Sequence, residues 1–125
     1  MVEPGREWCA EVDALMHKAC LHASPGEMRA QWEAGAALFL VKRGGTMIGA
    51  YLLRVDGDEG VILAGAGDGG GIDLVGVVVP IMEQQFVGVR SIRVHTSRPG
   101  MLRRLVAQGY EAREMVLAKV VKNDV

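Results

Sequence analysis

Aromatic residues are few: two Phe, two Trp and two Tyr in 125 residues. None interleaves with Arg90, Arg93, Arg98, Arg103 and Arg104, so the stacking platform for single-stranded nucleic acid is missing there. Cysteine is also sparse, with only Cys9 and Cys20. On one helix, that spacing puts the thiols roughly 16 Å apart, too far for a disulfide. We expect buried thiols and a reducing, cytoplasmic setting. Nothing at the acidic, polar N-terminus resembles a signal peptide. The longest apolar run, LVGVVVPIM over residues 74–82, is far too short to span a bilayer. A net charge of −1 predicts neither a general nucleic-acid binder nor an acidic tail. His17, Cys20 and His22 lack zinc-ligand spacing, and no metal site is expected. No G-x-S-x-G and no Ser-His-Asp constellation is legible.

Half of the residues are hydrophobic, and the length suits one globular domain over 1–125. A helix is predicted over residues 6–22, with Trp8, Val12, Leu15, Met16 and Ala19 as its apolar stripe. Ser24, Pro25 and Glu27 form a capping box for a second helix, which Gly35 should end near Ala34. ALFLVKR and TMIGAYLLRV flank Gly44-Gly45, a two-residue hairpin signal. DGDEG turns the chain into VILAGAG, completing an antiparallel meander.

Residues 64–74, AGAGDGGGIDL, follow with five glycines. This stretch is either an anion-binding loop or a flexible connection. Its acids, Asp68 and Asp73, would repel a phosphate. Residues 72–86 are read as a buried helix on the four-residue spacing of Leu74, Val78, Met82 and Phe86, kinked at Pro80. A strand over 72–82 is the alternative. SIRVHT is a strand, the stretch from Ser97 to Gly109 a helix, and REMVLAKVV over 113–121 a closing strand. Met47, Met82, Met101 and Met115 are read as core. The fold class is α+β in the order α-α-β-β-β-α-β-α-β, with a mostly antiparallel sheet of five to six strands.

That order resembles the GNAT N-acetyltransferase superfamily. The closest echo is IRVHTSRPGMLRRLVAQGYEAREMVLAKVV over residues 92–121, similar to the family's strand, helix, Gly-aromatic and strand ending, with Gly109-Tyr110 as the pair. The resemblance implies an acyl-CoA-dependent N-acyltransferase using acetyl-CoA and an unknown amine. The family's cofactor loop, [QR]-x-x-G-x-[GA], falls on the glycine-rich stretch. Gly69, Gly70 and Gly71 would then supply amides to the pyrophosphate, with Arg98 and Arg103 or Arg104 adding positive charge. Setting Gly71 on the first motif glycine puts Asp68 where Gln or Arg is expected and Asp73 where Gly or Ala is expected; setting Gly69 there puts Ala66 and Gly71 at those positions, which fits sterically but lacks the polar first residue. The family tyrosine that protonates the leaving thiolate falls on Leu105, and a cofactor-holding asparagine falls on Arg98.

His95, late in its strand, is the candidate base for the amine. Its alternative is a histidine that only hydrogen-bonds a neighbour. Glu59 is a second candidate base or else a turn acid in DGDEG. Arg90, Arg93, Arg98, Arg103 and Arg104 lie in a stretch, Gln84 to Tyr110, that contains no acid. They form a basic patch for CoA, nucleic acid or an acidic partner, or else solvated faces. A second functional expectation is therefore a non-catalytic GNAT-like module that binds a protein, or more weakly nucleic acid, through the Arg90–Arg104 region. The resemblance extends to small GNAT-like proteins encoded among tailed-phage genes, which implies a virion or host-cytoplasm setting. No membrane partner is expected.

Overall fold

The computed structural model describes residues 1–19, 25–67, 73–95, 99–113, 117 and 119–121. Five strands form one sheet in sequential order: β1 (Val2–Pro4), β2 (Ala37–Arg43), β3 (Thr46–Asp56), β4 (Glu59–Gly67) and β5 (Ser91–Val94). The first four are antiparallel neighbours. β4 and β5 are parallel. A parallel pair needs a crossover, and the helix between these strands supplies it.

The expected helices are present, the first with a later start. α1 spans Ala10–Ala19 in place of a start at residue 6, and residues 20–22 of the expected helix lie outside the described residues. The residues before it are used elsewhere: Val2–Pro4 pair with β2, and the Gly5 amide donates to the Leu38 carbonyl at 2.8 Å. Trp8 therefore precedes the helix, and its indole N–H donates to Asp13 at 3.0 Å. β1 escaped the sequence reading because three residues show no alternation, and its Pro4 is tolerated only at an edge.

α2 spans Pro25–Glu33. It ends in a Schellman motif, with Ala36 N–H on the Gln31 carbonyl and Gly35 N–H on the Trp32 carbonyl, both 3.0 Å. Gly35 takes a φ of 114°, a conformation that costs glycine nothing. The same closure recurs after α4 (Pro99–Ala107), at Gly109.

The ambiguous segment is helical, as preferred. α3 comprises a π-helical opening, Leu74–Val78, and an α-helical continuation, Val79–Gln85. The irregularity expected at Pro80 takes the form of that opening, where the Val79 N–H reaches back to the Leu74 carbonyl. The wide turn ends where proline removes a donor.

The expected closing strand is not found among the described residues. Arg113, Leu117 and residues 119–121 carry no strand, and Leu117, Val120 and Val121 are exposed. The rest of that stretch lies outside the described residues. Alternating apolar residues supply a face for a strand but not its partner.

Two cores flank the sheet. Val12, Leu15 and Met16 of α1 pack on Leu38, Ala50, Leu52, Ala64 and Ala66. On the other face Val75, Val78, Val79 and Met82 of α3, with Leu105 of α4, pack on Val41, Tyr51, Leu53 and Ile62. Met82 is buried, Met47 and Met101 are half-buried against these cores, and Met115 lies outside the described residues. The core pins β4 from both faces, which fixes the direction of its far end.

Candidate functional site

β4 is paired unequally along its two edges. Toward β3 the ladder continues to Gly67. Toward β5 it covers only Glu59 to Ile62, ending where Ile62 stands opposite Val94. The next residue, Leu63, is a β-bulge: Leu53 pairs with Ile62 and Leu52 with Ala64, so Leu63 has no counterpart on β3. A bulge bends a strand and raises its twist. β4 thus turns away from β5 at the residue where their pairing stops.

Among the described residues this leaves a gap in the sheet beside residues 63–67. At about 3.3 Å per residue, this free edge is roughly 16 Å long. Its sequence is Leu63, Ala64, Gly65, Ala66 and Gly67. After Leu63 no side chain is larger than methyl, so a ligand can lie against the backbone itself. Among the described residues no strand satisfies the outward-facing N–H and C=O groups of this edge.

Both chain connections at this end leave the carboxyl ends of parallel strands. One runs from Gly67 to Asp73, the other from His95 to Pro99. Crevices at such strand ends are the usual ligand sites of open sheets. Gly69, Gly70, Gly71 and Arg98, the proposed cofactor-loop residues, and Asp68 lie outside the described residues.

The two candidate bases are separated. His95 is exposed and follows Val94 directly, which puts it level with the bulge at the apex of the gap. Ile92 and Val94 face the α3–α4 core. Alternation then carries residue 95 toward the opposite face, that of α1 and α2. Glu59 sits at the closed end of the ladder, opposite Ser91. It accepts from Arg93 Nη1 at 2.7 Å and from Ser91 Oγ at 3.4 Å. Four residues of strand, about 13 Å, separate it from the bulge.

Three of the candidate arginines pair with acids, and Arg98 lies outside the described residues. Arg93 bridges Glu59 and, at 3.5 Å, Asp56, which Arg54 also holds through two nitrogens. Arg90 approaches Asp58 at 3.7 Å. Arg104 donates to Asp73 at 2.5 Å. Arg103 is exposed on α4 beside it.

Asp73 has a role that was not read from the sequence: it caps α3. Its Oδ1 accepts the Gly76 N–H at 2.9 Å. That bond, and then Arg104, hold its carboxyl below the usual aspartate range. Gly76 makes the approach possible, because a Cβ there would collide with the Asp73 carboxylate. An Asp ahead of an apolar run is an N-cap signal and was available in the sequence. Its pairing with a residue 31 positions away was not.

Leu105, where the family tyrosine would stand, is buried in the core. Tyr110 packs on the same core and donates from its hydroxyl to Glu83 at 2.8 Å, tying the end of α4 to α3. Among the described residues no group of three His, Cys, Asp or Glu stands close enough to hold a metal ion. Nor is any described helix long and apolar enough to cross a membrane.

No family model and no curated protein matches the sequence. Solved structures do match. A Bacillus subtilis acetyltransferase in complex with CoA superposes with a TM-score of 0.72 at 18% identity, over 90% of this chain and 77% of that one. A GNAT family acetyltransferase from Elizabethkingia anophelis with acetyl-CoA bound gives 0.65 at 17% identity, over 93% and 77%. An aminoglycoside 6'-N-acetyltransferase from Acinetobacter haemolyticus gives 0.60 at 13% identity, over 99% of each chain. With its sheet parted between parallel strands and a helix pair on each face, the chain has the fold of the GNAT N-acetyltransferases.

Proposed function

We propose that the chain is an acyl-CoA-dependent N-acyltransferase that takes acetyl-CoA into the gap beside β4 and passes its acetyl group to an amine. The observation that carries this reading is the coincidence of the Leu63 bulge with the end of the β4–β5 ladder. A pantetheine arm carries amides, and the bare edge of residues 63–67 offers it partners of strand type. The pyrophosphate would lie toward the start of α3, on Gly69, Gly70 and Gly71, with Arg98 and Arg103 nearby. Solved structures of similar fold that hold CoA or acetyl-CoA support the choice of ligand.

The chemistry follows from position. A neutral amine nitrogen attacks the thioester carbonyl carbon, and an amide N–H at the bulge stabilises the developing oxyanion. The C–S bond then breaks and the thiolate leaves. His95, at the apex, removes the amine proton directly or through water, and the thiolate recovers a proton from the same relay. Leu105 offers no acid for that last step.

Thermal denaturation with acetyl-CoA, followed by thiol release on a panel of primary amines, tests the reading. Saturating acetyl-CoA should raise Tm. A Tm unmoved by millimolar acetyl-CoA would remove this proposal.

A second reading is a non-catalytic binding module that meets a protein partner through the Arg90–Arg104 region. Two observations favour it: the Asp73 carboxylate beside the expected pyrophosphate position, and the buried Leu105. Loss of a co-purifying protein on Arg103→Ala, with no acetyl-CoA effect on the parent chain, would select it.

A further inference from the structure

The pairing of Asp73 has a consequence for ligand binding. Its carboxylate engages two donors at once, the Gly76 N–H of the first α3 turn and the Arg104 guanidinium. Both donors are of the kind that recognises a phosphate: an N–H at a helix start and a planar cation. α4 is held over the opening of α3 by a second contact, Gln108 Nε2 on the Val75 carbonyl at 2.6 Å. Arg104 is thus anchored on a helix whose position is fixed. The carboxylate is seated closely, since the space that a side chain at residue 76 would need is taken by it.

We propose that Asp73 is an autoinhibitory contact, an internal anion that competes with the pyrophosphate of the acyl-CoA for Arg104 and the α3 amide. This rests on the acyl-CoA reading above and adds to it how that site is regulated. When the ligand arrives, Arg104 changes partner from carboxylate to phosphate, and the Asp73 side chain swings out into solvent. Its 43% exposure leaves room for that movement. A ligand without a pyrophosphate has no such contest to win. The contact therefore sets a threshold for CoA thioesters and leaves shorter thioesters unaffected.

The test compares the parent chain with Asp73→Asn by calorimetric titration of CoA and, separately, of pantetheine. Asparagine keeps the helix cap and removes the charge, so the variant should fold. Asp73→Ser is a second capping replacement should Asp73→Asn misfold. Asp58→Asn, at the opposite end of β4, is the control for net charge alone.

Asp73→Asn should bind CoA about tenfold more tightly, a change of the size expected when one close charge contact is relieved. Its affinity for pantetheine should be unchanged, and Asp58→Asn should bind CoA like the parent. If the parent binds CoA and a folded Asp73→Asn binds no better, the autoinhibitory contact is wrong and the acyl-CoA reading stands. Equal gains from Asp58→Asn, or an equal gain for pantetheine, also overturn it. If neither the parent nor the Asp73 variants bind CoA, both proposals fail together.

Discussion

Ile62 and Val94 face each other as the last pair of the parallel β4–β5 ladder, and the residue after each diverges. Leu63 bulges out of register with β3, and His95 emerges beside it at the apex of the gap. Glu59 belongs to the other end of the same ladder, bound to Arg93. The two residues are therefore expected to respond differently. His95→Ala should lower kcat for acetyl transfer by about 10²–10⁴-fold, the range for loss of a general base. Glu59→Gln should leave kcat within about threefold and change stability by no more than about 1 kcal/mol, as for a partly exposed ion pair. Steady-state kinetics with one amine, alongside urea melts, check both. A large kcat loss in Glu59→Gln with unchanged stability would reverse the assignment.

Gly76 and Gly65 differ in what the same substitution would meet. A Cβ on Gly65 would meet Met82 Cε and Tyr51 Cβ at 3.6 Å, ordinary contact distances. Gly65→Ala should be neutral or stabilising by about 0.5–1 kcal/mol, through loss of unfolded-state freedom. A Cβ on Gly76 meets the Asp73 carboxylate instead. Gly76→Ala should therefore show no net gain in the parent chain, because the helix-propensity benefit is offset by a damaged cap. In an Asp73→Ala background the same change should stabilise by about 1 kcal/mol. Denaturant melts of the four chains give the coupling directly, and additivity within about 0.3 kcal/mol would refute the steric conflict.

The order of helices and strands was legible because it rests on short-range signals. Gly35 and Gly109 close helices as predicted, and Gly44-Gly45 makes the β2–β3 hairpin. The site was legible only in part. The resemblance put the cofactor loop just after β4, but the bulge at Leu63 was not legible, because VILAGAG reads as an unbroken strand. A bulge depends on the partner's register, which is not local. The meaning of Asp73 changed for a similar reason. Alone it is a carboxylate that repels phosphate. Folded, it is a cap neutralised by Arg104, and that pairing required the packing of α4 on α3.

Acid should act on the capped and paired carboxylates. Asp73 is held low by the Gly76 amide and then Arg104, and Asp56 by its hydrogen bonds to Arg54. A depressed folded-state pKa contributes stability that is present above the unfolded value, about 3.9 for aspartate. It is lost as pH falls through the folded value. The Tm difference between the parent and Asp73→Asn should thus be constant from about pH 7 to 5 and shrink below about pH 4. A difference that persists undiminished to about pH 2 would show that the charge contributes nothing to the cap.

Base should act through Tyr110. Burial, and then the hydrogen bond to Glu83, push its phenol well above the ordinary tyrosine range, and burial also raises that of Tyr51. A raised folded-state pKa means stability that is complete below the unfolded value, about 10, and declines as pH climbs toward the folded one. Tyr110→Phe removes one of the two phenols and the bond that ties α4 to α3. It should cost about 1 kcal/mol at neutral pH, the usual net value of a hydrogen bond. Its stability should also decline less steeply than the parent's above about pH 10. Absorbance titration of the tyrosines, followed with Tm across the same range, checks both effects. A Tyr110→Phe variant whose alkaline decline parallels the parent's would assign that loss of stability to groups other than this phenol.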